Sequence, residues 1–301
     1  MGDSTRGRLR ALMILVAAVL LLSLGAACRG PAPAPTAGPE MLLAVLDVGQ
    51  ADSLLVRSST GRTMLVDAGN EAADVNRVVL PLLKAKGITS LDYLVLTHPD
   101  QDHVGGMPTL LDNLPVGAFV DGAQPGVTNQ AYLHTLQRVQ AKGIKPVKAR
   151  RETTTIDLGS GTEVRVLSPE DPLLTGSSTT NNNSIVLRIT YGAISALLTG
   201  DLEREGEERL LKHQDNLRSQ ILKVAHHGSQ GATSAELLDA VRPEVALISV
   251  GAGNSYGHPH KQLLQRLDGH QVKTYRTDLN GTLQLLIDGS SYEVTADKQG
   301  G

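Results

Sequence analysis

The 301-residue sequence contains one cysteine, no tryptophan and a single phenylalanine. One thiol cannot form an intramolecular disulfide, so the folded state must be stabilised by an apolar core and by any metal it binds. Tyrosine supplies nearly all of the aromatic side chains, which leaves few rings on which the bases of a single-stranded nucleic acid could stack. These absences exclude a disulfide-rich scaffold and disfavour a dedicated single-strand-binding protein.

The chain also lacks an excess of positive charge. It has 28 Lys and Arg against 31 Asp and Glu, which gives a formal net charge of −3. Proteins that hold duplex nucleic acid by its phosphates usually have a basic face. The one local basic stretch is interpreted as a solvated helix end and loop, and it contains Lys142, Lys145, Lys148, Arg150 and Arg151.

The N-terminal 40 residues have the composition of an export signal followed by a tether. Arginines at positions 6, 8 and 10 precede an apolar stretch, Ala11 to Leu24, that is short for a membrane span of about 20 residues. Leu24-Gly-Ala-Ala-Cys28 resembles a bacterial lipobox, in which Cys28 is lipidated, and the following Pro- and Ala-rich residues favour an extended tether. The sequence predicts a signal peptide over 1–27, a tether over 28–40 and a hydrolase domain over 41–301, exported and lipid-anchored at the membrane surface. An ordinary signal peptide and an uncleaved anchor helix are the alternatives.

Residues 98–103 offer four side chains that can bind a metal ion. His98-Pro-Asp100-Gln-Asp102-His103 follows the apolar run 91–97, which predicts a buried strand. Side chains two apart on an extended segment point the same way, so His98, Asp100 and Asp102 would face one cavity. Asp102 and His103 are adjacent and would reach a second point in it. This spacing suits two divalent cations about 3.5–4 Å apart. The following Gly105-Gly106 predicts a tight turn.

Two further apolar runs end in residues of the same kind. The run from Ile194 ends at Asp201, and the run from Ile221 ends at His226 and His227. A charged residue at the end of a buried strand is costly unless it is paired or bound to metal. We therefore expect the three runs to converge on one site.

With these motifs, the chain resembles hydrolases of the metallo-β-lactamase fold. Among these hydrolases, it resembles the C-terminal, nuclease-like domain of ComEC-type competence DNA-uptake proteins. The resemblance covers roughly residues 41–290 and rests on the segments 46–53, 65–69, 97–106, 181–187, 197–201, 223–229 and 249–259. It implies an α/β (α+β) chain folded as a four-layer αββα sandwich, and the interleaving of predicted strands and helices agrees with two sheets flanked by helices.

Apolar periodicity gives the expected order of elements. Strands are expected at 41–48, 52–58, 63–67, 91–97, 116–120, 164–167, 184–190, 195–199, 220–225, 245–250 and 281–288. Helices are expected at 74–86, 107–113, 129–142, 203–213, 234–241 and 260–267, with a loop at 175–183.

The resemblance also implies a ligand set for two cations. The superfamily pattern is His-x-His-x-Asp-His, and Asp100 replaces its second histidine here, a change that the ComEC-like branch shares. Asn181 to Asn183 lies where the third imidazole ligand of the first site is expected. The first site would then consist of His98, Asp100, an amide oxygen from Asn181 or its two neighbours, and Asp201. The second would consist of Asp102, His103, the bridging Asp201 and His226.

Oxygen atoms in place of imidazole nitrogens make the first site a harder ligand set, which is less suited to zinc alone. We therefore expect the two divalent cations to be either Mn²⁺ or Zn²⁺. His226 is favoured as the ligand because it directly follows the strand, which leaves His227 to hydrogen-bond substrate or to orient a ligand. By resemblance, His258 lies near the metals. Asp67 is expected to orient a ligand histidine, and Asp47 is expected to be structural.

The resemblance implies hydrolysis of a phosphodiester, with DNA as the substrate class. A hydroxide that bridges the two cations would attack phosphorus, Asp102 would help to hold it, and His227 or His258 would assist the substrate or leaving group. The alternatives are a phosphodiesterase acting on teichoic acid or phosphocholine substrates, a hydrolase of β-lactams, lactones or thioesters, and a non-catalytic metal-binding lipoprotein. Asp100 and the asparagine run count against β-lactam-type hydrolysis.

Overall fold

A computed structural model describes residues 39–176 and 178–298. The predicted signal peptide, Cys28 and nearly all of the tether lie outside these residues. Within them, no helix combines the length and apolar character needed to cross a membrane.

The strands follow one another along the whole described chain. They are β1 (Met41–Val45), β2 (Leu54–Arg57), β3 (Thr63–Val66), β4 (Leu91–Leu96), β5 (Val116–Asp121), β6 (Lys145–Lys148), β7 (Thr162–Ser168), β8 (Val186–Tyr191), β9 (Ile194–Leu198), β10 (Ile221–Lys223), β11 (Val245–Ile248), β12 (Lys273–Arg276), β13 (Leu283–Ile287) and β14 (Tyr292–Ala296).

Helices connect many of these strands. A continuous helical segment consists of Ala72–Asp74, the π-helical turn Val75–Val79 and Leu80–Ala85. The other helical elements are Gln101–Val104, Met107–Asn113, Gln130–Ala141, Thr179–Asn182, Arg204–Lys212, the short turn Ala225–Gly228, Ala235–Val241, Lys261–Gly269 and Thr277–Asn280.

The strands form two mixed sheets. The eight-stranded sheet has the order β14-β13-β1-β2-β3-β4-β5-β6, and the six-stranded sheet has the order β12-β11-β10-β9-β8-β7. In the first sheet the pairs from β3 to β6 are parallel, and in the second the pairs from β9 to β12 are parallel. The carboxyl ends of neighbouring parallel strands therefore lie together at one edge of each sheet.

Alternating side chains build three apolar layers. Leu43 and Val45 of β1 pack between the sheets against residues such as Leu187 of β8, whereas Leu42 and Ala44 face the helices outside the first sheet. A third cluster lies between the second sheet and its own helices. This alternation is the period of two expected of strands, and it confirms the predicted αββα sandwich.

Three strands were not predicted from the sequence, and all three lie at the edges of the sheets. β6, β12 and β14 carry mostly exposed or half-buried residues, so they lack the apolar alternation that identifies a strand. The basic stretch 142–151 was expected to be helix end and loop, but it contains β6. The expected loop at 175–183 contains the short helix Thr179–Asn182.

Gly105 and Gly106 do not form the tight turn that the sequence predicted. Gly105 and Gly106 have right-handed helical backbone angles, so no turn requires them. They allow a close approach instead, because a Cβ on Gly106 would lie 2.0 Å from the Ala68 carbonyl oxygen and one on Gly105 would lie 1.7 Å from that of Asn70. This contact fixes the 98–106 segment against the loop that follows β3.

We expect Gly106→Ala to lower the free energy of unfolding by about 1–3 kcal/mol, because the methyl group collides with backbone that cannot rotate away. Urea unfolding at a fixed metal concentration measures the effect. Gly269→Ala is the matched control, since a Cβ there has no atom within 4 Å. Equal stability of the two variants would contradict the close-packing explanation.

Candidate metal centre

Parallel strands from both sheets deliver the predicted ligands to one place. β4 leads into His98, β9 leads into Asp201, and β10 leads into His226 and His227. Backbone hydrogen bonds hold these loops: His226 N donates to the Gly200 carbonyl at 3.2 Å, and Ile185 N, just before β8, donates to the Thr97 carbonyl at 2.9 Å. The expected convergence of the three runs is therefore present.

Asp201 lies at the centre of the cluster. Its Oδ2 is 3.4 Å from Nε2 of His103, 3.5 Å from Nε2 of His227, 3.9 Å from Nε2 of His226 and 4.0 Å from Nε2 of His98. The carboxylate is buried, with a side-chain exposure of only 4%. One oxygen atom is thus surrounded by the ring nitrogens of four histidines from two sheets.

Asp67 fixes the orientation of His103 from behind. The Oδ2 atom of Asp67 is 2.8 Å from Nδ1 of His103, and its two oxygens also accept from Thr97 N and Thr97 Oγ1 at 2.8 and 2.7 Å. Because a carboxylate can only accept, Nδ1 of His103 donates to Asp67, and this contact turns Nε2 toward Asp201. The structure thus places Asp67 where a residue that orients a ligand histidine would lie.

Several atoms facing the centre lack the partners that burial normally requires. His98 Nε2, His103 Nε2 and Asp201 Oδ1 are buried, and none of them has a hydrogen-bond partner among residues 39–176 and 178–298. Unpaired buried polar atoms are costly and rare in native proteins. Imidazole nitrogens and a carboxylate oxygen that converge in this way fit a divalent cation.

The two adjacent histidines occupy different positions. His227 is buried, its Nδ1 donates to the Ser249 carbonyl at 2.9 Å, and its Nε2 lies 3.1 Å from Asp102 Oδ2. His226 is 27% exposed, and its Nδ1 lies 3.0 Å from Glu203 Oε1. Ligand atoms of Asp102, His103, Asp201 and His227 all lie within 4.8 Å of one another, a grouping that does not include His226.

This placement differs from the preference for His226 drawn from the sequence. That preference assumed that the first histidine continues the strand toward the cavity. β10 instead ends at Lys223, and both histidines adopt left-handed angles, with φ of 49° and 51°. The sharp turn directs the second imidazole inward and leaves the first at the rim.

The asparagine run lies beside the cluster but is mostly engaged elsewhere. Asn182 Oδ1 accepts from Gly206 N, and Asn183 bonds the backbone of Leu174. Asn181 donates to Glu203 Oε1 at 3.0 Å, the same oxygen that contacts His226. Asn181 is thus the member of the run that lies toward the centre.

Two other predicted residues form the accessible side of the site. Asp100 Oδ2 is 3.6 Å from His98 Nε2, and its side chain is 44% exposed. The ring of His258 lies 5.6 Å from that of His226 and 6.5 Å from that of His227. Burial, followed by the neighbouring imidazoles of His226 and His227, lowers the pKa of His258 to about 4, so this ring is neutral at pH 7.

The electrostatic balance favours positive charge at the centre. Burial opposes ionisation, yet Asp201 and Asp67 raise the pKa of His103 well above its usual value, and His103 and His227 hold the pKa of Asp201 well below its own. His103 and His227 likewise lower the pKa of Asp102 despite its burial. The carboxylates that stabilise protons on these rings would equally stabilise divalent cations bound there.

Sequence reasoning missed a buried ion pair behind His227. Lys223 Nζ lies 2.6 Å from Asp52 Oδ2, both side chains are 1% exposed, and Asp52 Oδ1 is 3.5 Å from His227 Nδ1. The available signal was a lone lysine within the apolar run of β10, because a lysine is almost never fully buried unless it is paired. Asp52, Asp67 and His103 also form a compact acidic group, but these ion-pair and hydrogen-bond partners account for it.

A family model described as the metallo-β-lactamase superfamily matches residues 46–252. The chain belongs to the metallo-β-lactamase superfamily. It is 36% identical over 267 residues to ComE operon protein 3 of Bacillus subtilis (strain 168), which covers 83% of this chain and 33% of that protein. It is 38% identical over 253 residues to competence protein ComA of Neisseria gonorrhoeae, with the same two shares of 83% and 33%.

These relatives confirm the resemblance to ComEC-type competence proteins, although the chain spans only about a third of their length. Among solved structures, the metallo-β-lactamase fold protein YhfI from Bacillus subtilis matches with a TM-score of 0.53 and 11% identity, over 81% of this chain and 99% of that chain. That similarity supports the fold alone.

We expect His227→Ala to weaken Zn²⁺ binding by at least about 10-fold, and by more than His226→Ala does, because Nε2 of His227 lies inside the buried cluster whereas His226 lies at its partly exposed edge. Competition with a chromophoric chelator measures the affinity. His134→Ala, on the exposed face of Gln130–Ala141, should bind like the wild type. A larger loss in His226→Ala would restore the assignment drawn from the sequence.

We also expect Asp67→Asn to reduce metal affinity by about 10- to 100-fold, because the amide removes the negative charge that fixes His103. Asp157→Asn is the control, since that carboxylate pairs with Arg62 at the surface. The same titration compares the two variants. Unchanged affinity in Asp67→Asn would show that His103 is held by packing alone.

Proposed function

We propose that this chain is a two-metal phosphodiesterase that cleaves DNA. The observation that carries the proposal is the position of Asp201 Oδ2 within 4.0 Å of four imidazole nitrogens, flanked by the carboxylates of Asp100 and Asp102. A single buried oxygen shared in this way is suited to bridging two cations.

The donor set divides into two groups around Asp201. His98, Asp100, Asn181 and Asp201 would hold one cation. Asp102, His103, His227 and Asp201 would hold the other, which exchanges His226 for His227 relative to the sequence-based set. When bound, the cations lower the pKa of water and neutralise charge on the phosphoryl oxygens. Either Mn²⁺ or Zn²⁺ suits a set with three carboxylates.

The remaining polar residues of the rim would orient the substrate. Gln50 Nε2 lies 3.4 Å from Nδ1 of His258, so that nitrogen accepts and Nε2 of this neutral ring can donate to a phosphoryl or leaving-group oxygen. His226 Nδ1 lies 3.0 Å from Glu203 Oε1, and its Nε2 lies 3.9 Å from Asp201 Oδ2. His258 therefore supplies a hydrogen-bond donor at the rim, beside the partly exposed ring of His226.

DNA is proposed as the substrate because two relatives covering 83% of this chain carry competence names. The chain has a formal net charge of −3, and its basic stretch is largely paired: Arg150 contacts Asp171 at 2.7 Å and Arg151 contacts Asp215 at 2.6 Å. We therefore propose weak, salt-sensitive and sequence-independent binding of DNA. The N-terminal pattern supports action outside the cytoplasm, with Cys28 as the site of lipid attachment.

Hydrolysis of bis-p-nitrophenyl phosphate against nitrocefin tests the reaction class, and nicking of plasmid DNA in Mn²⁺ or Zn²⁺ tests the substrate. We expect diester and DNA cleavage that chelation abolishes, and no nitrocefin turnover. Asp102→Asn should reduce diester hydrolysis by more than about 100-fold, since loss of a ligand costs at least as much as loss of its orienting partner.

Asp112→Asn is the matched control, because that carboxylate lies at the surface and pairs with Arg138. Nitrocefin turnover without diester hydrolysis would reject the proposed chemistry. Hydrolysis of a teichoic-acid or phosphocholine diester without DNA cleavage would reject the substrate and retain the chemistry.

A further inference from the structure

Three rings lead from the surface into the metal centre. The rings of Tyr256 and His258 have centroids 5.6 Å apart and an interplanar angle of 24°. The rings of His258 and His227 have centroids 6.5 Å apart and again an interplanar angle of 24°. Exposure falls along this series, from 66% for Tyr256 to 1% for His227.

The side chain of Asn254 bonds the backbone of the loop that carries Tyr256. Asn254 Oδ1 accepts from the backbone N of Tyr256 at 3.2 Å and of His258 at 3.0 Å. Asn254 Nδ2 donates to the carbonyls of Gly251 and His258. Because the amide bonds the loop at both ends, the backbone of Tyr256 is held in place before any ligand arrives.

Tyr256 is unusual among the aromatic residues of this chain. Phe119 and Tyr132 are buried, and the tyrosines at 93, 191, 275 and 292 are half-buried and pack against the core. Within the described part of the chain, Tyr256 is the only aromatic residue whose side chain is largely exposed to solvent. An aromatic face kept in water beside a polar cleft is available to a ligand with a flat ring of its own.

We propose that Tyr256 stacks against a base of the nucleic acid next to the scissile phosphodiester, and thereby makes the site selective for nucleotides over other diesters. The proposal rests on the proposed phosphodiesterase function. The phosphate would lie at the inner end of the three rings, where His227 borders Asp102 and Asp201, and the base at the outer end. Stacking on one ring is tolerant of sequence, since every base has a π face.

The test uses two diesters with the same leaving group. Thymidine 5′-(p-nitrophenyl phosphate) carries a base, whereas methyl p-nitrophenyl phosphate does not. We expect Tyr256→Ala to lower the ratio of their kcat/KM values by about 5- to 150-fold, through KM of the thymidine substrate, which is the range for one base stacked on one aromatic ring. Tyr256→Phe should retain the ratio and Tyr256→Leu should lose it.

Leu286→Ala is the control for removal of an exposed apolar side chain. Leu286 is 37% exposed and pairs with Leu42 near the start of β1, at the end of the sheet opposite the metal centre. Its selectivity ratio should equal that of the wild type. An equal loss on both diesters in Tyr256→Ala would overturn the proposal, because it would show that Tyr256 only supports His258.

A binding measurement separates this inference from the proposed reaction. A single-stranded oligonucleotide containing 2-aminopurine is titrated with the protein in chelator, where stacking on an aromatic ring quenches the fluorescence. We expect quenching by the wild type and by Tyr256→Phe, and its loss in Tyr256→Ala and Tyr256→Leu. If the wild type hydrolyses neither diester, the reaction is rejected and the quenching decides the role of Tyr256. Equal quenching by the wild type and Tyr256→Ala overturns the inference and leaves the phosphodiesterase untouched.

Discussion

The burial of the Asp201 carboxylate where the two sheets meet is the constraint on which the site depends. A carboxylate removed from water is destabilising unless compensating charge and hydrogen bonds surround it. Four imidazoles supply that environment here, and each has an outer partner. Asp67 contacts His103, the Ser249 carbonyl contacts His227, Glu203 contacts His226 and Thr97 contacts His98. These outer contacts therefore fix the orientation of the four imidazole rings around Asp201.

Neither sheet contains the centre by itself. The segment 98–103 follows a strand of the first sheet, whereas Asp201 and His227 follow strands of the second. Hydrogen bonds cross between the two parts: Ile185 N donates to the Thr97 carbonyl, and Ser249 Oγ donates to the Ala51 carbonyl. The ligands come together only when the two sheets pack against each other, so metal affinity is coupled to folding.

The site changes character over a short distance. Its inner part consists of fully buried rings and carboxylates, and its outer part consists of Asp100, His226, His258 and Tyr256, which are partly or largely exposed. Lys148, Arg150 and Arg151 of the basic stretch pair with nearby carboxylates, which weakens the attraction of this segment for a polyanion. The proposed recognition of DNA therefore depends mainly on short-range contacts at the rim.

Apolar periodicity and the high cost of charge at buried strand ends predicted two sheets flanked by helices and the convergence of three strand ends. The resemblance to the metallo-β-lactamase fold implied the four-layer sandwich and Asp201 as the carboxylate shared by both cations. Edge strands such as β6 were missed because exposed strands have no apolar alternation. The positions of His226 and His227, the engagement of Asn182 and Asn183 and the pairing of Asp52 with Lys223 depend on backbone turns and on contacts between residues far apart in the chain. These features could not be predicted from the sequence, because adjacent residues of one type are equivalent there until the fold turns one of them inward.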